Sequence, residues 1–149
     1  PVGGASQVPS FVALLGTHLD VTVLVDAQKK GHQRLAHMAD QGILQENRIL
    51  TIGGVLDRSA ADIEDLFVED DYLDLYNRAF GKEVTTGDLQ GDDPIVRRLT
   101  RYEGQDRFDH GVPADELLRH RDQILLDLSD DTLDRFEALF EKINGTLKE

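Results

Sequence analysis

The stretch Asp20-Val-Thr-Val-Leu-Val-Asp26 decides the fold that we expect for this chain. It is rich in β-branched residues, almost uninterrupted in apolar character and closed by an acid, which is typical of a strand buried on both faces of a parallel sheet. A second run, Arg48-Ile-Leu-Thr-Ile-Gly-Gly54, predicts another strand that ends in a glycine turn. The amphipathic segment Gly31–Gln41, with Gly42 as its stop, predicts a helix between them. This order predicts a βαβ unit with a right-handed crossover.

Helical patterns flank this unit on both sides. Ser6 and Gly16 frame a predicted first helix, and a helical pattern that starts at Asp62 continues to Gly81 as its C-cap. Further helices are predicted to begin at Asp93-Pro94, at Val112-Pro113 and after the cap Ser129, the last with an apolar stripe of Leu133, Phe136, Phe140, Ile143 and Leu147. The sequence therefore predicts an α/β core over residues 1–81 and a helical extension over residues 82–149, packed on the same domain.

The amino-acid composition of the chain limits the classes of function that we consider. The 149 residues include 16 Lys+Arg, 29 Asp+Glu and no Cys, which gives a net charge of −13 and excludes disulfides and thiolate metal sites. No apolar run is long enough to cross a membrane and no secretion signal opens the chain, so a cytoplasmic protein is expected. The charge argues against sequence-independent nucleic-acid binding and suits carboxylates that hold divalent cations. The start at Pro1, without an initiator Met, predicts a fragment of a longer protein.

The first candidate site residue is Asp26, at the end of the most buried predicted strand. Functional groups of open α/β sheets gather at the carboxyl ends of the strands, so its carboxylate is expected in that crevice. Side chains alternate along a strand, which would place Gln28 on the same face, but an amide offers only a neutral oxygen. The alternative interpretation is that Asp26 merely caps the helix that starts near Gly31.

The second candidate is the acidic segment that contains Asp62 and Glu64. Residues two apart on a helix point to nearly opposite sides, so these two acids could share an ion only from the turn that precedes the helix. The stronger alternative for this segment alone is structural, because acids in a first helical turn cap open N–H groups and complement the helix dipole.

Basic and histidine residues give weaker signals. Lys29 and Lys30 follow Asp26 and could meet phosphate, although a polar loop after a strand is usually just solvated. The only basic cluster in the acidic chain could polarise a phosphodiester or could form a solvent face paired with Asp92, Asp93 and Glu103; its members are Arg97, Arg98 and Arg101. His32 and His37 lie five apart and do not form an i, i+4 pair, so a zinc site is not expected.

Several of these segments carry a family resemblance. The strand that ends in an acid, the Lys-Lys-Gly31 that follows it, the strand with Gly53-Gly54 and the segment Ala61-Asp-Ile-Glu-Asp-Leu-Phe67 together resemble a TOPRIM domain. More narrowly, the chain resembles the C-terminal half of the overcoming-lysogenization-defect (OLD) family of ATP-dependent endonucleases. That resemblance also draws on Gly3-Gly-Ala-Ser6 and Phe108-Asp-His-Gly-Val-Pro-Ala114, and it covers most of the chain.

The resemblance implies a TOPRIM-like parallel sheet (a Rossmann-like βαβ) that lacks its first strand, followed by the helical extension. It also implies a bacterial, cytoplasmic, Mg²⁺- or Mn²⁺-dependent hydrolase that nicks or cuts DNA by two-metal phosphodiester hydrolysis. ATP would act through an ATPase domain outside this chain, which would be its partner in the full-length protein. Whether the chain forms a homodimer stays open.

Carried over residue by residue, the resemblance makes Asp26 the first acid of the family's Asp-x-Asp motif. Asp62 and Glu64 would complete the metal cluster, and Asp26, Glu64 and Arg98 would be catalytic. The phosphate and DNA contacts would come from Lys29, Lys30, Arg97 and Arg98, with Lys142 a weaker alternative to the arginines as the group near the scissile phosphate.

Two departures from the family pattern matter. The family's catalytic Glu precedes the segment where this chain begins, and Gln28, a weak ligand at best, replaces the second acid of Asp-x-Asp. The chain alone is therefore expected to bind Mg²⁺ weakly and to be inactive by itself, while a longer parent protein is active.

Two other classes stay open beside the nuclease. One is a non-catalytic acidic α/β interaction domain with a degenerate site, and the other is a receiver-like phosphoacceptor domain in which Asp26 takes a phosphoryl group. The receiver is disfavoured, because no acidic pair near the start of the chain could hold its Mg²⁺. The nuclease interpretation predicts that the carboxylates of Asp26 and Glu64 lie within about 6 Å of each other.

Overall fold

In the computed structural model, the described residues are 8–15, 21–26, 37, 39–42, 44–45 and 48–147. They form a mixed α/β structure that is mostly helical, with a two-stranded parallel sheet. The chain divides into two units, residues 1–60 with 138–149 and residues 61–137, and each is described by itself below. The predicted division into residues 1–81 and 82–149 stays a prediction.

The first unit contains the sheet. Strands β1 (Val23–Val25) and β2 (Ile49–Thr51) pair in parallel with Val25 opposite Thr51, which confirms the predicted α/β class and strand direction. Helix α1 (Val8–Leu15) precedes them. Four buried apolar residues form the core of this unit: Val12, Val23, Val25 and Leu44.

The predicted glycine turn after the second strand is wrong, because helix α2 (Ile52–Leu56) begins there. Thr51 is its N-cap, and the Thr51 Oγ1 accepts a hydrogen bond from the Gly54 N–H at 2.9 Å. A Cβ on Gly54 would lie only 2.9 Å from that oxygen, so glycine permits the close approach. The expected helix before Gly42 lies mostly outside the described residues, although Ala39 and Asp40 are helical and Gly42 follows at φ 70°.

The second unit is helical. Its elements are a 3₁₀ turn (Ile63–Leu66), α3 (Glu69–Phe80), a second 3₁₀ turn (Thr86–Asp88), α4 (Ile95–Tyr102), α5 (Gly111–Arg119) and α6 (Arg121–Asp127). Helix α7 (Asp130–Thr146) begins in this unit and ends in the first. The core of the second unit consists of Tyr72, Leu73, Leu75, Tyr76, Val84, Leu89, Ile95, Val96, Leu99 and Ile124.

Helix ends in this unit test the predicted caps. Gly81 ends α3 at φ 63°, and the Ser129 Oγ accepts the Thr132 N–H at the start of α7, which confirms both. Asp93 does not cap α4: Pro94 occupies that position, and the Asp93 carboxylate instead accepts from Arg101. The single helix predicted from Asp62 is also wrong, because extended residues separate the first 3₁₀ turn from α3.

The predicted apolar stripe of α7 is only partly buried. Leu133, Phe140 and Leu147 are exposed, whereas Thr132 and Leu139 are buried. None of the helices in the described part of the chain combines the length and the apolar character that a membrane crossing requires.

Candidate functional site

In the first unit, Asp26 directly follows β1 and its side chain is exposed. Because β1 and β2 run parallel and Val25 lies opposite Thr51, Asp26 lies at the edge where both strands end. That edge is where ligands of open α/β sheets bind. The neighbouring candidates Gln28, Lys29 and Lys30 lie outside the described residues.

In the second unit, the acidic segment forms a turn in which Asp65 has a structural role. The Asp65 Oδ2 accepts the Asp62 N–H at 2.7 Å, and the Asp65 Oδ1 accepts the Ile95 N–H at 3.0 Å. The buried carboxylate thereby joins the turn to the first residue of α4, where the helix dipole favours a negative charge. Asp62 is the N-cap of this turn and forms a capping box with Asp65, so the capping interpretation is confirmed for Asp62 and extends to Asp65, which the sequence did not single out.

Glu64 lies in the same turn and contacts a histidine that the sequence analysis missed. The Glu64 Oε1 lies 2.6 Å from the His110 Nδ1; the Glu64 side chain is 11% exposed and that of His110 is 60% exposed. With Nδ1 protonated, His110 donates this hydrogen bond to the Glu64 carboxylate, and its Nε2 lies on the other side of the ring. The only sequence signal was the segment Phe108–Ala114, which entered the argument as a resemblance and not as chemistry.

An aromatic side chain lies next to this acidic turn. Tyr72 is buried beside it, and burial, followed by the negative charges of Glu64 and Asp65, raises the pKa of Tyr72 above its ordinary range. Tyr72 therefore stays neutral. The rings of Phe108 and His110 meet edge to face, with the ring centroids 5.2 Å apart. A carboxylate-oriented imidazole of this kind can move a proton or bind a ligand through its second nitrogen.

The arginine cluster on α4 is largely committed to acidic partners. Arg98 forms a bidentate pair with Glu69 at 2.7 and 2.5 Å and is 11% exposed. The hydrogen bonds that Arg98 donates to Glu69 raise the pKa of Arg98. Arg101 bonds to Asp93 at 2.6 Å, as the solvent-face interpretation expects, and Arg97 is exposed.

Lys142, the weaker basic candidate, lies in the first unit. Its Nζ donates to the Gly54 carbonyl oxygen of α2 at 2.7 Å. This places Lys142 beside the segment that follows β2, with its ammonium group on a helix carbonyl. The contact stabilises the short helix whatever else the residue does.

Asp26 belongs to the first unit, and Asp62 and Glu64 belong to the second. The predicted distance between the carboxylates of Asp26 and Glu64 therefore stays a prediction. Among the described residues, no group of three or more Asp, Glu or His side chains is arranged to hold a metal ion.

Comparisons with known proteins add no support to the resemblance. No model of a protein family, no curated protein and no solved structure matches this chain. The resemblance to OLD-family nucleases thus rests on the residues quoted for it.

Proposed function

We propose that this chain is a TOPRIM-type domain of an OLD-family, metal-dependent DNA endonuclease. The observation that carries the proposal is Asp26, exposed at the carboxyl end of β1 in a parallel strand pair. A carboxylate at that edge is the expected starting point of a cation site in an α/β sheet. The TOPRIM-like arrangement is part of the proposal, as are the bacterial origin, the cytoplasmic location, DNA as substrate and an ATPase domain as partner.

The chemistry of the donor set suits Mg²⁺ or Mn²⁺. Asp26, Asp62 and Glu64 offer the hard carboxylate oxygens that these ions prefer, and Gln28 adds a neutral one. Asp65 is unsuited, because both of its oxygens already accept backbone N–H groups. In the proposal, Asp26, Asp62 and Glu64 would be the carboxylate ligands of the cation.

A bound divalent ion would supply Lewis-acid stabilisation of the charge on the phosphodiester and would activate water. The chain's own groups supply the rest. Glu64 holds the imidazole of His110 in one orientation, which restrains a polar group beside the acidic turn. Of the α4 arginines, Arg97 is the more available for phosphate, because Arg98 is already paired with Glu69.

A non-catalytic interaction domain with a degenerate site is the second candidate. It is favoured by the commitment of the acidic turn and its neighbours to protein groups: Glu64 to His110, Asp65 to two backbone N–H groups and Arg98 to Glu69. Gln28 in place of an acid points the same way.

Nicking of supercoiled plasmid DNA with Mg²⁺ or Mn²⁺ separates the two candidates. The assay uses the longest natural protein that contains these 149 residues, with an Asp26→Asn variant and a matched Asp40→Asn control. Asp40 is exposed and loses the same charge. The nuclease predicts that Asp26→Asn abolishes nicking and that Asp40→Asn leaves it unchanged.

Equal nicking by the Asp26→Asn protein and its control would refute the catalytic assignment of Asp26. No nicking by the unsubstituted protein, with either metal and with ATP present, would favour the interaction domain. Glu64→Gln and Asp62→Asn extend the same test to the acidic turn, and each is expected to reduce nicking by at least about tenfold.

A further inference from the structure

The net charge of the chain resides in one unit. Residues 61–137 contain 22 Asp+Glu against 9 Lys+Arg, whereas the other unit contains 7 of each. The second unit thus carries the whole net charge of −13, and the first is neutral. A potential of this sign attracts cationic partners to the second unit.

A groove lies on this acidic unit between α3 and α6, with a cavity volume of about 230 Å³. Its floor is apolar and is formed by Leu75 of α3 together with Ile124 and Leu128. Asp74 and Asp127 lie among its walls, one from each helix. Each of the two helices thus contributes both acidic and apolar residues to the lining of the groove.

The two wall carboxylates are available to a ligand. Asp74 is exposed, and Asp127 is 68% exposed, with only a distant ion pair to Arg78 at 3.9 Å. Arg78 also lines the groove, and its Nη2 donates to the Gln123 Oε1 at 3.1 Å. An exposed ion pair at 3.9 Å contributes little stability, and a second cation can therefore replace it at low cost.

Two exposed leucines lie on α6 outside the groove lining. Leu126, next to Asp127, is 85% exposed, and its neighbour Leu125 is 51% exposed. Exposed leucines on the same helix as the groove offer apolar area that a bound partner can cover.

We propose that the α3–α6 groove is the docking site for a basic, amphipathic segment of a protein partner. The methylene stem of a Lys or Arg side chain would pack over Leu75 and Ile124, and its charged head would pair with Asp74 and Asp127. An apolar residue of the same segment would cover Leu126. The inference does not depend on the nuclease proposal.

The test measures binding of a fluorescent acetyl-Arg-Leu-Leu-Arg-amide peptide to the 149-residue chain and maps the site by amide chemical shifts. The groove variant is Asp74→Asn/Asp127→Asn, and the matched control is Asp106→Asn/Asp115→Asn. The control removes the same charge from exposed residues of the same unit outside the groove lining. All four side chains are exposed, and thermal unfolding verifies that both variants fold.

If the groove is the docking site, peptide affinity should fall about three- to tenfold in the groove variant and less than about twofold in the control. Leu126→Ser is expected to weaken binding as well, and the shifted amides should cluster on α3 and α6. Equal losses of affinity in the two double variants would overturn the proposal, because they would show that the peptide is attracted by net charge alone. The absence of peptide binding to the unsubstituted chain would overturn it as well. If spermidine binds with the same variant pattern while Leu126→Ser has no effect on the peptide, the ligand is a small amine and the peptide proposal is wrong.

Discussion

The two units of this chain are stabilised by different interactions. In the first, a neutral unit, the described contacts follow from buried β-branched strands and a Thr51 cap. In the second, charged side chains connect elements far apart in sequence. Asp71, for example, accepts hydrogen bonds from Ser129 and Thr132, about sixty residues later.

The difference teaches that high negative charge can be compatible with a specific fold when key carboxylates accept several hydrogen bonds each. Asp65 and Asp71 both do so. The second unit therefore contains two kinds of carboxylate. Some accept hydrogen bonds that hold its elements together, and others, such as Asp74, are exposed on the surface. Loss of the first kind should destabilise the unit, and loss of the second kind should change only what it binds.

The largest expected effect comes from the apolar core of the second unit. Leu99 is completely buried among the aromatic and aliphatic residues of that core, so Leu99→Ala leaves a cavity and should lower the free energy of unfolding by about 2–5 kcal/mol. Urea unfolding followed by residue-resolved NMR measures the change in each unit. The control, Leu126→Ala at an exposed position, should change stability by less than about 0.5 kcal/mol. Similar losses in the two variants would contradict the assigned core.

A smaller effect is expected at Asp65. Asp65→Ala leaves the N–H groups of Asp62 and Ile95 without their acceptor, which should cost about 1–3 kcal/mol in the free energy of unfolding. Asp65→Asn retains one acceptor oxygen and should cost less than Asp65→Ala. Equal stability of the alanine variant and the unsubstituted chain in urea would show that these bonds do not stabilise the unit.

The pH dependence of Asp71 gives a third, smaller effect. Burial opposes ionisation, but hydrogen bonds from Thr132 and Ser129 outweigh it and lower the pKa of Asp71 below 3.8, its ordinary value. The lowered pKa means that the ionised group contributes stability above its ordinary pKa and loses that contribution as the pH falls through the folded-state value. The stability difference between the unsubstituted chain and Asp71→Asn should therefore narrow between about pH 6 and pH 3. A constant difference across that range would exclude this contribution of Asp71.

Local signals predicted much of the backbone. The β-branched run at Val23–Val25, the glycines 42 and 81 at positive φ and the cap at Ser129 are all in the structure. Each follows from the conformational or hydrogen-bonding preference of one residue and its near neighbours. The turn predicted at Gly53-Gly54 was wrong because that prediction considered only the glycine pair. In the structure Thr51 caps a helix that contains both glycines.

The polar contacts of the candidate site could not be predicted in this way. Glu64 and His110 lie 46 residues apart, and Asp65 reaches Ile95 across 30 residues. Neither pair has a spacing that repeats or a motif that marks it; only the packing of the second unit brings the partners together. The burial of α7 was missed for a similar reason, because periodicity identifies an apolar face but not the neighbours that cover it.

The smallest effect expected is that of Mg²⁺ on thermal stability. The depleted ligand set around Asp26 predicts weak binding, so that millimolar Mg²⁺ adds a fraction of a kcal/mol and raises the Tm by about 1–2 °C. Calorimetry against NaCl of equal ionic strength separates this from screening of the acidic second unit. Asp26→Asn should abolish the Mg²⁺-specific part while keeping the effect of NaCl, because the substitution changes only the neutral unit. A rise of many degrees would mean that the cation site is more complete than its sequence indicates, and an unchanged rise in Asp26→Asn would move that site to the acidic unit.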